Sequence, residues 1–301
     1  MSANLHGILT ALIAPFAHDG SLDEAGLKNL VERSIAGGVN GLVTCGSTGE
    51  FSAMTHEERK RVVEVVVQAA AGRVPVVAQT GATTAREAIE LTRHAEQVGA
   101  DVVMIVTPYY EPISVEETVD YLKTVSASVS VPVMLYNIPP ATGINLDPEL
   151  VERLADEIPN VRYIKDSSGN MEQALQLIHN LGDKIETYIG WDVLTLAGLL
   201  EGAAGIVAGA ANVVPRELAN VYDAVRDNDL AKARQLWNEV YPVIDGLLTE
   251  PFIPAIKAAL KIQGQDFGEP RLPIHPASKE TSARIQGLLE QLSDHAAPVN
   301  S

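Results

Sequence analysis

The chain has 301 residues, enough for one large domain or two average ones, and its hydrophobic content of 46% suits a substantial core. Its formal net charge of −17 at pH 7 argues against nucleic acid and anionic membranes as partners, because both require a basic surface. The single cysteine, Cys45, excludes an internal disulfide framework and a metal site built from several cysteines. No targeting pattern opens the chain and no apolar run approaches about 20 residues, so we expect a cytoplasmic protein without a membrane span.

Short runs rich in Val, Ile, Ala and Leu recur along the first two thirds of the chain and are typical of buried strands. They lie at residues 8–14, 40–45, 74–80, 100–106, 131–137, 161–166, 185–190 and 204–208. Amphipathic patterns separate them: residues 55–71 open with Thr55 and Glu58 at the spacing of a capping box, and residues 84–99 end at Gly99. The alternation predicts an α/β fold with a parallel sheet, and its even spacing favours a TIM (β/α)8 barrel over a doubly wound open sheet.

The strand patterns stop after residue 210, and successive helical patterns follow them. No low-complexity linker divides the chain. We therefore predict that residues 1–210 form the barrel and that residues 211–301 form a C-terminal helical extension packed on it.

One lysine stands out because active sites of such barrels lie at the carboxyl ends of the strands. Of the nine lysines, seven fall in helical or tail segments and Lys184 precedes its strand, so only Lys165 ends a strand at this face. Strand alternation points Tyr163 and Lys165 toward the barrel interior. A lysine that loses its hydration there is partly neutral near pH 7, as a Schiff-base nucleophile requires. From position alone, a lysine that reaches solvent or forms a buried ion pair fits equally well.

The stretch TCGSTGEF, residues 44–51, follows the second predicted strand. Gly46 and Gly49 allow a tight turn, and Ser47 and Thr48 offer hydroxyl groups beside free backbone N–H groups. This combination predicts a binding site for a small carboxylate or phosphate. The stretch lacks the Gly-Lys-Ser/Thr ending of a nucleotide P-loop.

Tyrosines end two further strands. Tyr136 precedes a Pro-Pro turn, so its hydroxyl group is a candidate proton carrier, although a tyrosine packed at a strand end fits the same pattern. Tyr109 and Tyr110 follow the fourth strand and fit either a site or a subunit interface.

Other chemistries are weaker. None of the seven histidines ends a predicted strand, which argues against a histidine-ligated zinc site and a Ser-His-Asp triad. Asp166 and Asp192 lie near strand ends, but two scattered carboxylates make a weak magnesium site, and we expect no metal. Residues 202–212 resemble the glycine-rich phosphate cup of other barrels, so a phospho-substrate or flavin enzyme stays open.

Taken together, these motifs resemble the dihydrodipicolinate synthase/N-acetylneuraminate lyase family of class I aldolases. The residues that carry the resemblance are Gly46-Ser47-Thr48-Gly49-Glu50, Thr107-Pro108-Tyr109-Tyr110, Tyr136-Asn137-Ile138-Pro139 with Thr142-Gly143, and Ile164-Lys165-Asp166. The resemblance covers essentially the whole chain. It implies a homotetramer built as a dimer of dimers, a small-molecule 2-oxo acid substrate, and no metal or organic cofactor.

The resemblance also implies roles for single residues. Lys165 is expected to form an imine with the keto carbon of pyruvate or a related 2-oxo acid. Tyr136 is expected to shuttle protons with the Ser47 hydroxyl group, and Tyr110 to complete this relay from a neighbouring subunit. Ser47 and Thr48 are expected to hold the substrate carboxylate.

Gly190, Asp192 and Ile206 complete the predicted substrate-binding set. A substrate hydroxyl group is one expected partner of Asp192, and the N-terminus of the next helix is the other. Glu50 is expected to be structural and to satisfy backbone groups of its own loop.

Departures from the family pattern bear on the substrate. Dihydrodipicolinate synthases carry an arginine in the turn after the tyrosine, where this chain has Ala141, and losing such a carboxylate partner costs on the order of 2–5 kcal/mol of binding. Sialic acid lyases carry Gly-Tyr-Asp-Glu after strand seven, where this chain has residues 190–193, GWDV, and their serine after strand eight is Ala208 here.

These departures favour the branch that handles 2-keto-3-deoxy sugar acids or 4-hydroxy-2-oxoglutarate. We therefore predict a Schiff-base lyase of that branch, either an aldolase or a dehydratase. The alternatives are a 4-hydroxy-tetrahydrodipicolinate (dihydrodipicolinate) synthase that uses another cation, and a catalytically silent barrel that senses a 2-oxo acid.

Overall fold

The computed structural model describes residues 5–296, and its central feature is a closed barrel of eight parallel strands. The strands are Gly7–Ala11 (β1), Gly41–Thr44 (β2), Val76–Gln79 (β3), Val102–Val106 (β4), Val133–Asn137 (β5), Val161–Asp166 (β6), Glu186–Ile189 (β7) and Gly205–Ala208 (β8). Each strand pairs with the next one, and β8 pairs with β1. All eight predicted strands are present, so the predicted TIM (β/α)8 barrel is confirmed and the open sheet is excluded.

Twelve helices surround or follow the barrel in the described part of the chain. They are Glu24–Ala36 (α1), His56–Ala70 (α2), Ala85–Gln97 (α3), Val115–Ser126 (α4), Pro139–Thr142 (α5), Pro148–Glu157 (α6), Met171–Leu181 (α7), Thr195–Leu200 (α8), Pro215–Arg226 (α9), Leu230–Leu248 (α10), Phe252–Ile262 (α11) and Lys279–Ala296 (α12). Among the described residues, no helix combines the length and the apolar character that a membrane span requires.

Local signals in the sequence explain where helices begin and end. The predicted capping box of α2 is present: the Thr55 N–H group donates to Glu58 Oε2 at 2.9 Å and the Glu58 N–H group donates to Thr55 Oγ1 at 3.2 Å. A second box opens α4, where Ser114 and Glu117 make the same reciprocal bonds. Helix α3 ends at Gln97, and Gly99 then takes the left-handed backbone conformation that stops a helix, with φ of +94°.

The C-terminal segment contributes to both the barrel and the extension. Helix α9 packs against β1 and serves as the eighth helix of the barrel, although it lies in the segment 211–301 predicted as extension. Helices α10–α12 lie outside the barrel, so they form the extension proper. The predicted extension is thereby confirmed.

The barrel interior is filled partly by tyrosine rings. Tyr163 and Tyr188 are buried and pack edge to face, with ring centroids 6.0 Å apart. Gly205 makes room for them, because a Cβ atom there would lie 2.7 Å from Cε1 of Tyr188. The Lys165 side chain lies toward the carboxyl end of β6, where its register partner on β7 is Tyr188.

Candidate active site

Lys165 lies at the carboxyl end of β6 and is 5% exposed, so its amine is buried as the sequence predicted. Its Nζ atom lies 4.2 Å from the centroid of the Tyr136 ring on the neighbouring strand β5, where Tyr136 is its register partner. No ion pair of Lys165 with a carboxylate is present in the described chain. Without a bonded carboxylate, the Lys165 amine is the candidate nucleophile for a carbonyl group.

Gly190 leaves the space that the Lys165 side chain occupies. A Cβ atom at this position would lie 2.8 Å from Cε of Lys165 and would clash with Oγ of Ser167. The Ser167 hydroxyl group in turn donates to the Gly190 carbonyl oxygen at 3.2 Å. The predicted substrate-binding residue Gly190 therefore lies directly beside the lysine. Ser167, which sequence reasoning missed, contacts Gly190 on the same side of the site.

The loop after β2 has two backbone N–H groups that point to no protein acceptor. Gly49 N–H and Glu50 N–H donate back to the carbonyl oxygens of Gly46 and Ser47, both at 3.0 Å, while no bond within residues 5–296 uses the Ser47 or Thr48 N–H groups. Thr48 is nearly buried and Ser47 is exposed. Free amide groups beside hydroxyl groups are the donors that the predicted anion site requires, and binding of an anion by this loop stays a prediction.

The turn in this loop is made differently from the prediction. The left-handed residues are Cys45, with φ of +56°, and Glu50, with φ of +54°, whereas Gly46 has an ordinary φ and open space around it. Gly49 is required for another reason, since a Cβ atom there would lie 3.0 Å from the carbonyl oxygen of Leu12. Only one of the two glycines is therefore sterically needed.

A hydroxyl pair connects this loop with the tyrosine on β5. Oγ of Ser47 and the hydroxyl oxygen of Tyr136 are 3.3 Å apart, and Tyr136 is only 2% exposed. Tyr110, the third predicted member of the relay, is 82% exposed after β4. Two of the three predicted relay residues therefore meet within this chain, and the third extends into solvent.

Asp192 is 3% exposed and anchors the backbone after β8. Its Oδ2 atom accepts a hydrogen bond from the Ala210 N–H group at 2.7 Å, and it does not cap α8. Burial raises the pKa of its carboxyl group to about 6, an effect that the Ala210 hydrogen bond and the charge of Lys165 oppose. The expected helix N-cap is therefore wrong, and binding of a substrate hydroxyl group stays a prediction.

Ile206, predicted to bind substrate, is fully buried in β8. Its register partner is Ile189 of β7, and a Cβ atom on Gly198 of α8 would contact the Ile189 side chain. Register partners point to the same side of a parallel sheet, so the Ile206 side chain faces the helices. Binding of substrate by Ile206 stays a prediction, and only its backbone faces the site.

A buried amide–carboxylate cluster lies behind Lys165 and Tyr136, and sequence reasoning missed it. Asn137 follows Tyr136, Asp166 follows Lys165, and Asn137 Nδ2 donates to Asp166 Oδ1 at 2.9 Å. Burial raises the pKa of Asp166, and hydrogen bonds from Asn137 and Ser168 oppose this effect. The sequence did contain a signal for this cluster. Each of the two site residues is followed directly by a polar residue, in Tyr136-Asn137 and Lys165-Asp166, and the two pairs lie on adjacent strands.

Glu50 is structural, as expected, but its partners lie outside its own loop. Its carboxylate accepts a hydrogen bond from the Arg271 N–H group at 2.8 Å and forms an ion pair with Lys257 of α11, with 2.9 Å between the charged atoms. The expectation that Glu50 satisfies backbone groups of its own loop is wrong. The bonds join the loop to the C-terminal extension.

Polar groups of the glycine-rich stretch after β8 form hydrogen bonds with other groups of the protein. The Ala210 N–H group is taken by Asp192, and the buried Asn212 side chain donates to the carbonyl oxygens of Ala11 and Gly209, both at 2.7 Å. These bonds leave no open phosphate cup at this position. Within the described residues, no group of three or more His, Cys, Asp or Glu side chains is placed to hold a metal ion.

Comparison with known proteins gives consistent matches over nearly the whole chain. A 4-hydroxy-tetrahydrodipicolinate synthase from Methanothrix thermoacetophila is 40% identical over 96% of this chain and 97% of the relative. One from Acidobacterium capsulatum is 39% identical over 96% of both chains.

Two solved structures match equally well. A putative dihydrodipicolinate synthetase from Pseudomonas aeruginosa has a TM-score of 0.93 and 35% identity, covering 96% of this chain and 99% of that one. A prophage protein of the dihydrodipicolinic acid synthase family from E. coli K12, in complex with pyruvate, has a TM-score of 0.92 and 34% identity with the same coverage.

A barrel whose sixth strand ends in a buried lysine beside a tyrosine is the architecture of a class I aldolase, and this chain is an enzyme of that class. The model of the Dihydrodipicolinate synthetase family matches residues 4–292, and the chain belongs to this family. The names of the relatives do not favour the sugar-acid branch predicted from Ala141. They favour the synthase, which the sequence left as an alternative.

Proposed function

We propose that this enzyme binds pyruvate as a Schiff base on Lys165 and joins it to aspartate semialdehyde, which is the reaction of a 4-hydroxy-tetrahydrodipicolinate synthase. The observation that carries the Schiff base is the buried Lys165 amine, 4.2 Å from the centroid of the Tyr136 ring and without a bonded carboxylate. The names of the relatives support aspartate semialdehyde as the second substrate.

The chemistry follows from the positions of three side chains. The Lys165 amine adds to the keto carbon of pyruvate, the carbonyl oxygen takes up protons, and water leaves to give an imine. Loss of a methyl proton then gives an enamine, whose carbon bonds to the aldehyde carbon of the second substrate while the aldehyde oxygen takes up a proton. The amino group of that substrate then attacks the imine carbon, closes a ring and displaces the Lys165 amine. Tyr136 carries these protons, because its hydroxyl group is buried and hydrogen-bonded to Ser47.

The substrate carboxylate belongs at the loop after β2. The free N–H groups of Ser47 and Thr48, together with their hydroxyl groups, supply donors to it without a cation. This arrangement compensates locally for the net charge of −17, which repels an anionic substrate at long range.

The first test is reduction with borohydride in the presence of pyruvate, followed by mass spectrometry of the intact protein. We expect a reduced pyruvate adduct on the wild type and none on Lys165→Ala. The matched control is Lys184→Ala, which removes a half-buried lysine paired with Glu152 and Asp156 and should retain the adduct. A wild type without an adduct would contradict the Schiff-base mechanism.

A second candidate, supported by Ala141, is a lyase that releases pyruvate from a 2-keto-3-deoxy sugar acid or 4-hydroxy-2-oxoglutarate. The two candidates differ in whether a cation binds the carboxylate of aspartate semialdehyde, an interaction that contributes on the order of 2–5 kcal/mol of binding free energy. Condensation of pyruvate with aspartate semialdehyde and release of pyruvate from the sugar acid should therefore be compared on the same preparation.

The variant Ala141→Arg adds the missing cation. For a lyase of sugar acids, it should create or strongly raise condensation with the semialdehyde. For a synthase that binds the semialdehyde carboxylate elsewhere, the wild type already turns over and Ala141→Arg changes the rate little.

A further inference from the structure

The loop that carries Ser47 and Thr48 is held in an unfavourable backbone conformation. Cys45 and Glu50, at its two ends, both adopt left-handed φ values, of +56° and +54°, although neither is a glycine. Such a conformation persists in a non-glycine residue only where surrounding contacts enforce it. The loop therefore depends on contacts from outside.

At the far end of the loop, those contacts are made by the Glu50 side chain. Its carboxylate is the acceptor for Arg271 N–H at 2.8 Å and the ion-pair partner of Lys257 Nζ at 2.9 Å. The side chains of Glu50 and Lys257 are 0% and 2% exposed, so water does not compete for this pair.

Lys257 is itself fixed by the extension. Its Nζ atom donates to the Glu269 carbonyl oxygen at 3.1 Å and lies 4.6 Å from the centroid of the Phe16 ring. Burial lowers the pKa of Lys257, and the neighbouring carboxylate of Glu50 opposes that effect. Helix α11 thus presents a buried cation to the far end of the loop.

We propose that Lys257 is a positioning residue for the enzyme, acting through Glu50 to hold the Ser47 and Thr48 N–H groups where they receive the carboxylate of a 2-oxo acid. The inference rests on the proposed function of this loop. It assigns the C-terminal extension a part in substrate binding, although none of its residues needs to touch the substrate.

The test removes both charges together, because a single substitution would leave a buried unpaired charge that threatens folding. The double variant Glu50→Gln with Lys257→Met keeps an acceptor for the Arg271 N–H group. The pyruvate concentration for half-maximal borohydride trapping should rise about tenfold or more, since small displacements of binding groups have large effects. The maximal trapping rate should change much less.

The matched control is Lys261→Met, one turn further along α11. Lys261 is exposed and pairs with Asp266 and Glu269 at the surface, so the variant should show wild-type half-saturation. A folded double variant with wild-type half-saturation would overturn the inference. If the double variant does not fold, Glu50→Asp provides the test, because it keeps both charges but moves the carboxylate away from Lys257. An unchanged pyruvate concentration for half-maximal trapping in Glu50→Asp would also overturn the positioning role of Lys257.

Hydrogen exchange of residues 45–50 gives a readout that does not depend on activity. The Gly49 and Glu50 N–H groups should exchange faster in the double variant, or in Glu50→Asp if the double variant does not fold, while the amides of β6 remain protected. Unchanged exchange would overturn the inference even if the wild type formed no pyruvate adduct. Absence of that adduct would overturn the proposed function instead, so the two failures are distinguishable.

Discussion

Gly190 illustrates how little space surrounds Lys165. A Cβ atom there would come within 2.8 Å of Cε of the lysine. We expect Gly190→Ala to displace the Lys165 side chain and to reduce the rate of pyruvate trapping by about 100-fold or more, as misplacement of a reacting group does.

The control is Gly287→Ala in α12, where a Cβ atom would meet no neighbour within 4 Å. This variant should keep the wild-type trapping rate. A Gly190→Ala enzyme that traps pyruvate as fast as the wild type would contradict the packing argument.

Asp192 predicts a pH dependence of stability. Its pKa in the folded state, about 6, lies above the ordinary value of 3.8, so folding favours the protonated carboxyl group. The stability that this group contributes is present below pH 4 and is lost as the pH rises through 6. From pH 4 to 7 the wild type should lose on the order of 2 kcal/mol relative to Asp192→Asn, whose carbonyl oxygen still accepts the Ala210 N–H bond.

Urea unfolding of both proteins at several pH values measures this difference. If the free energies of unfolding of the two proteins differ by the same amount at every pH from 4 to 7, the pKa of Asp192 is not raised in the folded protein.

At the scale of elements, strand positions were predictable because most strands are buried on both sides and therefore read as apolar runs, which the exposed Arg162 of β6 and Glu186 of β7 interrupt or precede by one residue only. The observed β6, Val161–Asp166, matches the predicted 161–166, and the other strands lie within their predicted ranges except at the start of β1. The N-cap of α4 was not predicted, although Ser114 and Glu117 have capping-box spacing.

The capping box of α4 should contribute measurably to stability. Ser114 accepts from the Glu117 N–H group, and Ser114→Ala removes this acceptor, so we expect a loss of about 1 kcal/mol in the free energy of unfolding. Ser114→Thr keeps the hydroxyl group and should therefore retain most of the free energy of unfolding that Ser114→Ala loses. Equal urea midpoints for the alanine and wild-type proteins would contradict the assigned role.

At the scale of the whole molecule, the exposed Tyr110 fits the predicted homotetramer, which stays a prediction. If Tyr110 completes the site of a neighbouring subunit, Tyr110→Phe and Lys165→Ala should each be weakly active alone. Mixed and reassembled in equal amounts, they should recover about a quarter of the sites, because half of the random pairs are hybrids with one intact site each. No recovery after subunit exchange, verified by light scattering, would mean that Tyr110 acts within its own chain or not at all.

The candidate site was predictable only where the order of the strands in the barrel determines which residues lie next to each other. Lys165 and Tyr136 end adjacent strands, so their meeting followed from the fold, and Ser47 followed from the loop after β2. The contacts of Glu50 with Lys257 and Arg271 did not, because they depend on how helices of the extension pack, and no local pattern encodes that packing. The substrate branch was not predictable for a related reason. Ala141 shows that one cation is absent from the turn after Tyr136, but it does not show whether a cation elsewhere in the fold takes its place.

The bond between Arg271 and Glu50 joins residues 221 positions apart, and Lys257 approaches the same carboxylate. During synthesis on the ribosome, the barrel strands and Lys165 therefore emerge long before the segment that fixes the Ser47 loop. If the loop needs that segment, a nascent chain has its nucleophile before its carboxylate-binding loop is in place, and the enzyme can bind substrate only after residues 257–271 have been synthesised and packed.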